Sequence, residues 1–149
     1  MHEMGRLSRI VNPLMTPVTH ELMPSSAAPG QMSVRAIHEA RHLLGLLPRR
    51  RLFLLGSPIA QSQSPLIHNT GFQVLGLPHV YERFETSTVD ERLVQLLHAP
   101  DFGGASVTIP LKLSIMQLLD SISPEAQVIG AVNTIVPRRD SDTGRVALH

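Results

Sequence analysis

The sequence predicts an α/β fold, with a mainly parallel open sheet flanked by helices over residues 51–149 and a strand–helix segment over residues 1–47. Short apolar runs alternate with helical patterns from residue 51 onward, which is typical of parallel α/β units. Prolines stand where these helices would begin and glycines where they would end. At 149 residues with 42% hydrophobic content, the chain is also long and apolar enough to form a core.

The sequence pattern of the N-terminal segment predicts one short strand and one helix. The strand is Pro17–Leu22, and Ser33 is placed to cap the helix that follows. The helix carries one apolar face, formed by Val34, Ile37, Ala40, Leu44 and Leu47. Since one strand and one helix cannot close a core, we interpret residues 1–47 as the end of a larger domain, with a boundary near residues 46–51.

The first half of the second segment predicts two strands and two helices. Leu52–Leu55 has the length of a buried strand, and the next helix begins at Pro65 and ends at Gly76. Val80–Glu85 alternates as a strand does. The stretch Thr88–Glu91 then reads as a capping box, ahead of an apolar stripe formed by Val89, Leu93, Leu96 and Leu97.

The second half continues the alternation. Its predicted elements are a strand at Ser106–Ile109, a helix from Pro110 with Ile115, Met116 and Leu119 inward, a helix capped by Ser123 and stopped by Gly130, a strand at Ala131–Val136, a turn at Asp142–Gly144 and a final strand at Val146–Leu148.

Composition excludes several classes of function. A formal charge of +1 and 3% aromatic residues argue against nucleic-acid binding. Zero cysteines exclude disulfides and Cys-type zinc sites and suit a reducing compartment, so we expect a cytoplasmic protein. No apolar run reaches membrane-span length, and the first residues lack the order of a secretory signal. Oligomeric state is left open.

The stretch His38–His42 fits the His-Glu-x-x-His pattern of zinc enzymes. Both histidines fall opposite the apolar face of the predicted helix, so we expect them to point outward. Arg41 adds a cation between the two would-be ligands, and no third ligand motif follows. We therefore predict a solvated helix face and no metal site.

Neutral polar residues gather at the predicted strand ends. Ser62, Ser64, Thr108 and Asn133 stand on or beside the loops where open α/β sheets place ligands, and such donors and acceptors suit a hydroxylated ring. Lys112, the only lysine, follows Thr108 by four residues, and its ammonium is suited to polarise a hydroxyl or ketone during hydride transfer. Taken singly, each residue is also explained as a turn, cap, packing or solvated residue.

Three sequence blocks together resemble the substrate-binding domain of shikimate dehydrogenase: Gly56–Pro65, Gly103–Lys112 and Gly130–Thr134. The resemblance covers residues 51–149. It implies that Ser62 and Ser64 bind the substrate carboxylate, that Thr108 and Lys112 hold ring hydroxyls with Lys112 catalytic, and that Asn133 binds the ring. Ser106 replaces an asparagine of many bacterial members, which implies an altered contact. The family reaction is NADP-linked interconversion of 3-dehydroshikimate and shikimate.

A second resemblance covers residues 1–47. Gly5–Arg9 and Ala28–Ser33 resemble the last strands and closing helix of a type I 3-dehydroquinate dehydratase, a (β/α)8 barrel. It implies that Arg9 pairs with a substrate carboxylate and that Gln31 hydrogen-bonds the substrate. No lysine precedes Lys112, so these residues cannot supply the Schiff base of that reaction.

The order of the two segments, dehydratase then dehydrogenase, is found in fungal pentafunctional AROM polypeptides and in the related quinate repressor. We expect a truncated product of that lineage that binds shikimate-like acids weakly without turnover, because the sequence contains neither the family's Asn-Thr-Asp triplet nor a Gly-x-Gly-x-x-Gly turn for NADP. Two alternatives stay open: a quinate-repressor-like metabolite sensor, and a nonfunctional relic.

Overall fold

A computed structural model describes residues 2–16, 19–25, 28–139 and 146–149. The chain divides into two compact units. Unit 1 comprises Met1–Arg49 and Asn69–His79, and unit 2 comprises Arg50–His68 and Val80–His149. The expected domain boundary near residues 46–51 stays a prediction.

The described elements follow one another as helices α1 (His2–Val11) and α2 (Val34–Leu43), strand β1 (Arg51–Gly56), helix α3 (Ser64–Leu75), strand β2 (Val80–Glu85), helix α4 (Glu91–Leu97), strand β3 (Phe102–Val107), helix α5 (Leu111–Ser114), a 3₁₀ turn (Ile115–Leu118), helix α6 (Pro124–Ile129), and strands β4 (Thr134–Ile135), β5 (Pro137–Arg139) and β6 (Val146–Leu148). None of the helices in these described ranges has the length and apolar character needed to cross a membrane.

The main sheet has the strand order β2-β1-β3-β4, so β1 is central. β1 runs parallel to both β2 and β3, whereas β4 pairs antiparallel with β3. A separate antiparallel pair joins β5 to β6. The mainly parallel α/β prediction is confirmed.

The core of unit 2 lies between this sheet and its helices. Leu55, Leu93 and Leu97 are fully buried, and the Phe53 and Phe102 rings stack with centroids 6.2 Å apart. Helix α5 and the 3₁₀ turn add Leu111 and Ile115, both also fully buried. Leu, Ile and Phe side chains therefore hold the strand ends in place.

Strand β3 differs from its prediction. It spans Phe102–Val107 instead of Ser106–Ile109, and Ile109 lies outside it with its side chain exposed. Gly103 and Gly104, which resemble a loop in the sequence, lie inside the strand. Neighbouring segments of the same chain come too close to them for a side chain. A Cβ on Gly103 would lie 2.7 Å from Arg50 Cβ, and Gly104 has a φ of +136° with a would-be Cβ 3.0 Å from the Ile135 carbonyl oxygen.

The helix caps are partly as predicted. The Ser123 side chain accepts from the Ala126 amide, and Gly130 ends α6 in the left-handed region with a φ of +72°. The predicted capping box at Thr88 is wrong, because Asp90 caps α4 by accepting from the Leu93 amide at 2.9 Å. A carboxylate adjacent to the helix outcompetes the threonine two residues earlier.

Unit 1 departs most from expectation. Residues 2–11 form α1, which was not predicted, and residues 19–22 form no strand; Pro17 and Val18 of the predicted strand lie outside the described residues. Helix α2 begins as predicted, with the Ser33 hydroxyl accepting from the Ala36 amide at 3.1 Å. Ile37 is fully buried, yet Leu44 of the predicted apolar face is exposed. The predicted turn at Asp142–Gly144 also lies outside the described residues.

The prediction for His38 is wrong. Its side chain is buried, and its Nδ1 donates to the Leu75 carbonyl oxygen at 2.6 Å, within unit 1. His42 is exposed as predicted, with its Nδ1 2.9 Å from the Leu47 carbonyl oxygen. The two histidines thus bond different carbonyls, and the described part of the chain contains no group of three or more His, Cys, Asp or Glu that could hold a metal ion.

Candidate functional site

The carboxyl ends of β1 and β3 meet closely in unit 2. The Thr108 amide donates to the Leu55 carbonyl oxygen at 2.8 Å, and the Ser57 amide donates to the Ile109 carbonyl oxygen at 3.0 Å. A Cβ on Gly56 would lie 2.7 Å from the Ile109 carbonyl oxygen, at a backbone φ of +147°. Glycine is required here for both reasons. The junction places Thr108 beside the start of the serine loop, residues 57–64.

The two serines of this loop are already coupled. The Ser62 hydroxyl donates to the Ser64 hydroxyl oxygen at 3.2 Å, and the Ser62 oxygen accepts from the Ser64 amide at 3.3 Å. Both side chains are half-buried. Because Ser64 accepts here with its oxygen, its own proton remains to be donated to an acceptor such as a carboxylate.

Lys112 and Asn133 line one open cavity of about 480 Å³. Backbone bonds fix their positions, since the Val132 amide donates to the Lys112 carbonyl oxygen at 3.0 Å and the Val107 amide donates to the Asn133 carbonyl oxygen at 2.8 Å. Arg138 and His149 also line this cavity. Glu125 lines it too, so a second cation and a carboxylate accompany Lys112 in the cavity.

The structure groups the predicted residues in two sets. Lys112 and Asn133 share the cavity, whereas Ser62, Ser64 and Thr108 are not among its described lining residues. Thr108 links the sets, because its amide bonds the end of β1 and its carbonyl oxygen accepts from the Leu111 amide at 3.0 Å, at the start of the helix that carries Lys112. Ser106 lies inside β3, opposite Leu54 and Thr134, and is half-buried.

Arg83 on β2 is a residue that sequence reasoning missed. Its Nε donates to the Ile59 carbonyl oxygen at 3.1 Å, and its Nη2 donates to the Ser62 carbonyl oxygen at 2.5 Å. The strand alternation of Val80–Glu85 was the available signal, since it sets the face on which Arg83 lies. The guanidinium thus contacts the main chain of the serine loop.

Arg9 is used differently in unit 1. Its Nε donates to the Gly30 carbonyl oxygen at 3.2 Å and its Nη1 to the Thr16 carbonyl oxygen at 2.9 Å. Gln31 lines a separate cavity of about 440 Å³ together with Arg6 and His20. Arg9 is not among the described residues that line that cavity, so the two residues matched to the dehydratase motif do not share it.

Arg51 and Arg35, which lie outside the candidate site, have raised pKa values. The hydrogen bond from Arg51 Nε to Glu82, at 2.7 Å, raises the pKa of Arg51 above its usual value. In unit 1 the pKa of Arg35 is also raised, first by its hydrogen bond to Glu39 and then by the charge of Glu21. These ion pairs are exposed, so solvent screening keeps their contribution to stability small.

Comparison with known families gives two matches along the chain. Residues 54–135 match the family described as the shikimate dehydrogenase substrate binding domain. Residues 1–48 match the family described as type I 3-dehydroquinase.

The curated relatives are far longer than this chain. It is 72% identical over 149 residues to the pentafunctional AROM polypeptide of Malassezia globosa, covering 100% of this chain and 9% of the relative. It is 56% identical over 142 residues to that of Schizosaccharomyces pombe, covering 95% of this chain and again 9% of the relative.

Solved structures give the same two assignments. The dehydroquinate dehydratase and shikimate dehydrogenase from S. pombe AroM superpose with a TM-score of 0.86 at 53% identity, over 96% of this chain and 26% of that chain. Shikimate 5-dehydrogenase from Thermus thermophilus, solved with NADP(H) and shikimate, superposes with a TM-score of 0.54 at 39% identity, over 65% of this chain and 36% of that chain.

Proposed function

The chain belongs to the shikimate dehydrogenase substrate-binding domain family, and we propose that its unit 2 binds shikimate or 3-dehydroshikimate as part of an NADP-dependent shikimate dehydrogenase within a longer AROM-type polypeptide. One observation supports this most directly. Backbone hydrogen bonds hold Thr108, Lys112 and Asn133 on successive segments beside the end of β1, from which the serine loop departs.

Each polar group has a chemical role in this proposal. Ser64 donates its free hydroxyl proton to the carboxylate of the acid, and Ser62 donates to the second carboxylate oxygen once its own proton turns from the Ser64 oxygen to the ligand. Thr108 and the Asn133 amide hydrogen-bond ring hydroxyls, and Ser106 stands two residues before Thr108 on β3.

Lys112 is the proposed catalytic group. Lys112 is a half-buried residue of the cavity lining, where its ammonium polarises the reacting oxygen and stabilises the negative charge that develops on it. Arg138, in the same cavity, supplies a second cation for a carboxylate substrate, beside the carboxylate of Glu125.

The residues present do not fit a dinucleotide. Helix α3, after β1, has Pro65 in its first turn, and helix α5, after β3, is preceded by Pro110, in place of a glycine-rich amide cradle for a pyrophosphate. NADP supplies hydride chemistry in shikimate dehydrogenases, and in this proposal residues other than these hold it.

The quinate-repressor alternative is not favoured, because the relatives compared above are pentafunctional polypeptides and shikimate dehydrogenases. A metabolite sensor would nevertheless use the same binding residues, so ligand binding is tested first.

A calorimetric or NMR titration of the purified chain with shikimate tests the proposal. We expect saturable binding, weaker binding of cyclohexanecarboxylate because it lacks the hydroxyls, and a large loss in a Ser62→Ala/Ser64→Ala double variant. Ser87→Ala, at an exposed bend, serves as the matched control. Equal binding of shikimate and cyclohexanecarboxylate would falsify the assigned role of the polar groups.

A further inference from the structure

Resting on the proposed function, we propose that one face of β2 positions the serine loop for substrate. Residues two apart on a strand share a face, so Tyr81, Arg83 and Glu85 point the same way. All three contact the chain between β1 and the first turns of α3. We call these three residues the β2 brace.

The contacts of the β2 brace follow the order of the loop. At one end, the Ser57 hydroxyl donates to Glu85 Oε1 at 3.3 Å. In the middle, Arg83 donates to the carbonyl oxygens of Ile59 and Ser62. Side-chain hydrogen bonds thus join β2 to the serine loop at several points along its length.

The other end of the loop is held through a ring contact. The Tyr81 ring stacks on the His68 ring, with centroids 4.3 Å apart and planes 13° apart. The Nδ1 of His68 donates to the Ser64 carbonyl oxygen at 2.8 Å. Tyr81 therefore reaches the second serine through a single intervening side chain.

Arg83 is the central member because it fixes two carbonyl oxygens with one planar group. Its contact at Ser62 bears directly on the serine pair, because the Ser62 oxygen also accepts from the Ser64 amide. A displacement of the Ser62 backbone would therefore move both hydroxyls. Binding sites lose affinity steeply when their donors shift by fractions of an ångström.

The geometry of arginine is specific to this role. Two donors in a rigid fork match two carbonyl oxygens of one loop, whereas an ammonium is a single flexible charge. Arg83 is thus a positioning residue that acts through Ser62, and lysine is expected to replace it only in part.

The test compares shikimate affinity in three variants. We expect Arg83→Ala to weaken binding roughly tenfold or more and Arg83→Lys to restore part of the loss. Arg92→Ala is the matched control, because its guanidinium lies 5.5 Å over the ring of Phe84, the neighbouring β2 residue. Equal affinities for the parent chain and Arg83→Ala, at equal thermal stability, would overturn the inference while leaving the proposed function intact.

A second measurement is independent of the ligand. Amide hydrogen exchange of residues 59–64 is expected to accelerate in Arg83→Ala and to stay unchanged in Arg92→Ala, with core amides of β1 protected in both. If the parent chain binds no shikimate, the proposed function fails, and this exchange difference alone decides whether the β2 brace exists. If Arg83→Ala does not fold, Arg83→Lys is compared with Arg92→Ala in both measurements.

Discussion

Units 1 and 2 each contain a basic residue that matches a substrate-binding motif, yet the two side chains have different surroundings. Arg9 in unit 1 donates to two carbonyl oxygens of its own chain, whereas Lys112 in unit 2 lies at the wall of an open cavity. Their settings differ as well. Ile37 is the one buried apolar side chain among the described residues of unit 1, while unit 2 packs Phe, Leu and Ile side chains under a sheet. Arg9 is thus used within its own chain, whereas Lys112 stands at an open cavity above a packed core.

Glycine substitutions give the largest expected contrast between the units. Gly56→Ala is expected to cost about 3 kcal/mol of unfolding free energy, because its φ of +147° disfavours a side chain and the new Cβ would meet the Ile109 backbone. Gly45→Ala in unit 1 is expected to cost about 1 kcal/mol, since its φ is +71° but nothing lies within 4 Å. Urea unfolding midpoints measure both. Equal losses of unfolding free energy in the two variants would mean that the backbone at the junction of β1 and β3 rearranges to accept a side chain.

Removing the ammonium of unit 2 tests the functional side of the comparison. Lys112→Ala is expected to weaken shikimate binding by about 2 kcal/mol, roughly thirtyfold, because a charged hydrogen bond to the ligand is lost. Thermal stability is expected to stay unchanged, since the backbone bond from Val132 to the Lys112 carbonyl survives. Arg9→Ala is the counterpart in unit 1, with the opposite pattern: unchanged affinity and reduced stability. A large drop in the melting temperature of Lys112→Ala would identify its side chain as structural.

The two histidines of α2 sharpen the description of unit 1. His38→Ala is expected to cost about 1 to 2 kcal/mol, because it removes a buried hydrogen bond to the Leu75 carbonyl oxygen. His42→Ala, on the exposed side of the same helix, is expected to cost less than about 0.5 kcal/mol. Thermal unfolding of the two variants measures both effects, and added zinc is expected to leave the melting temperature of each variant unchanged. Identical stabilities would contradict the buried role of His38.

The smallest expected effect concerns the Arg51–Glu82 ion pair of unit 2. Glu82→Gln is expected to cost about 0.5 kcal/mol, because both side chains are partly exposed and solvent screens the pair. Since folding raises the pKa of Arg51, its contribution is present below the usual arginine pKa and lost only as pH rises beyond it. Stability at about 0.05 and about 1 M salt measures the screening. An undiminished difference at high salt would argue against an electrostatic origin.

Much of unit 2 was predictable from local patterns. Ser123 and Gly130 carry their own signals for a helix start and stop, and the apolar run at β1 has the length typical of a buried strand. The start of β3 was missed because Gly103 and Gly104 resemble a loop, and their reason lies in Arg50 and Ile135, which are distant in sequence. The periodicity of apolar residues along a sequence does not report which distant segments pack against each other.

The candidate site was predictable only in part. Ser62, Ser64, Thr108, Lys112 and Asn133 could be named because they fall within recognisable blocks, and their roles stay predictions. Arg83 has no motif of its own, and its value depends on which loop carbonyls lie across from β2. His38 was misplaced because an exposed helix face was inferred without knowledge of the residues near 75 that cover it.

The central position of β1 has a consequence for how the chain acquires its structure. Both of its neighbours come later in the sequence. During synthesis one edge of residues 51–56 therefore has no partner until residue 85 is made, and the other edge has none until residue 107 is made. Parallel pairing across such separations is slow. The apolar strand is unpaired for that time, and we expect its open edges to raise the tendency of this chain to aggregate on overexpression.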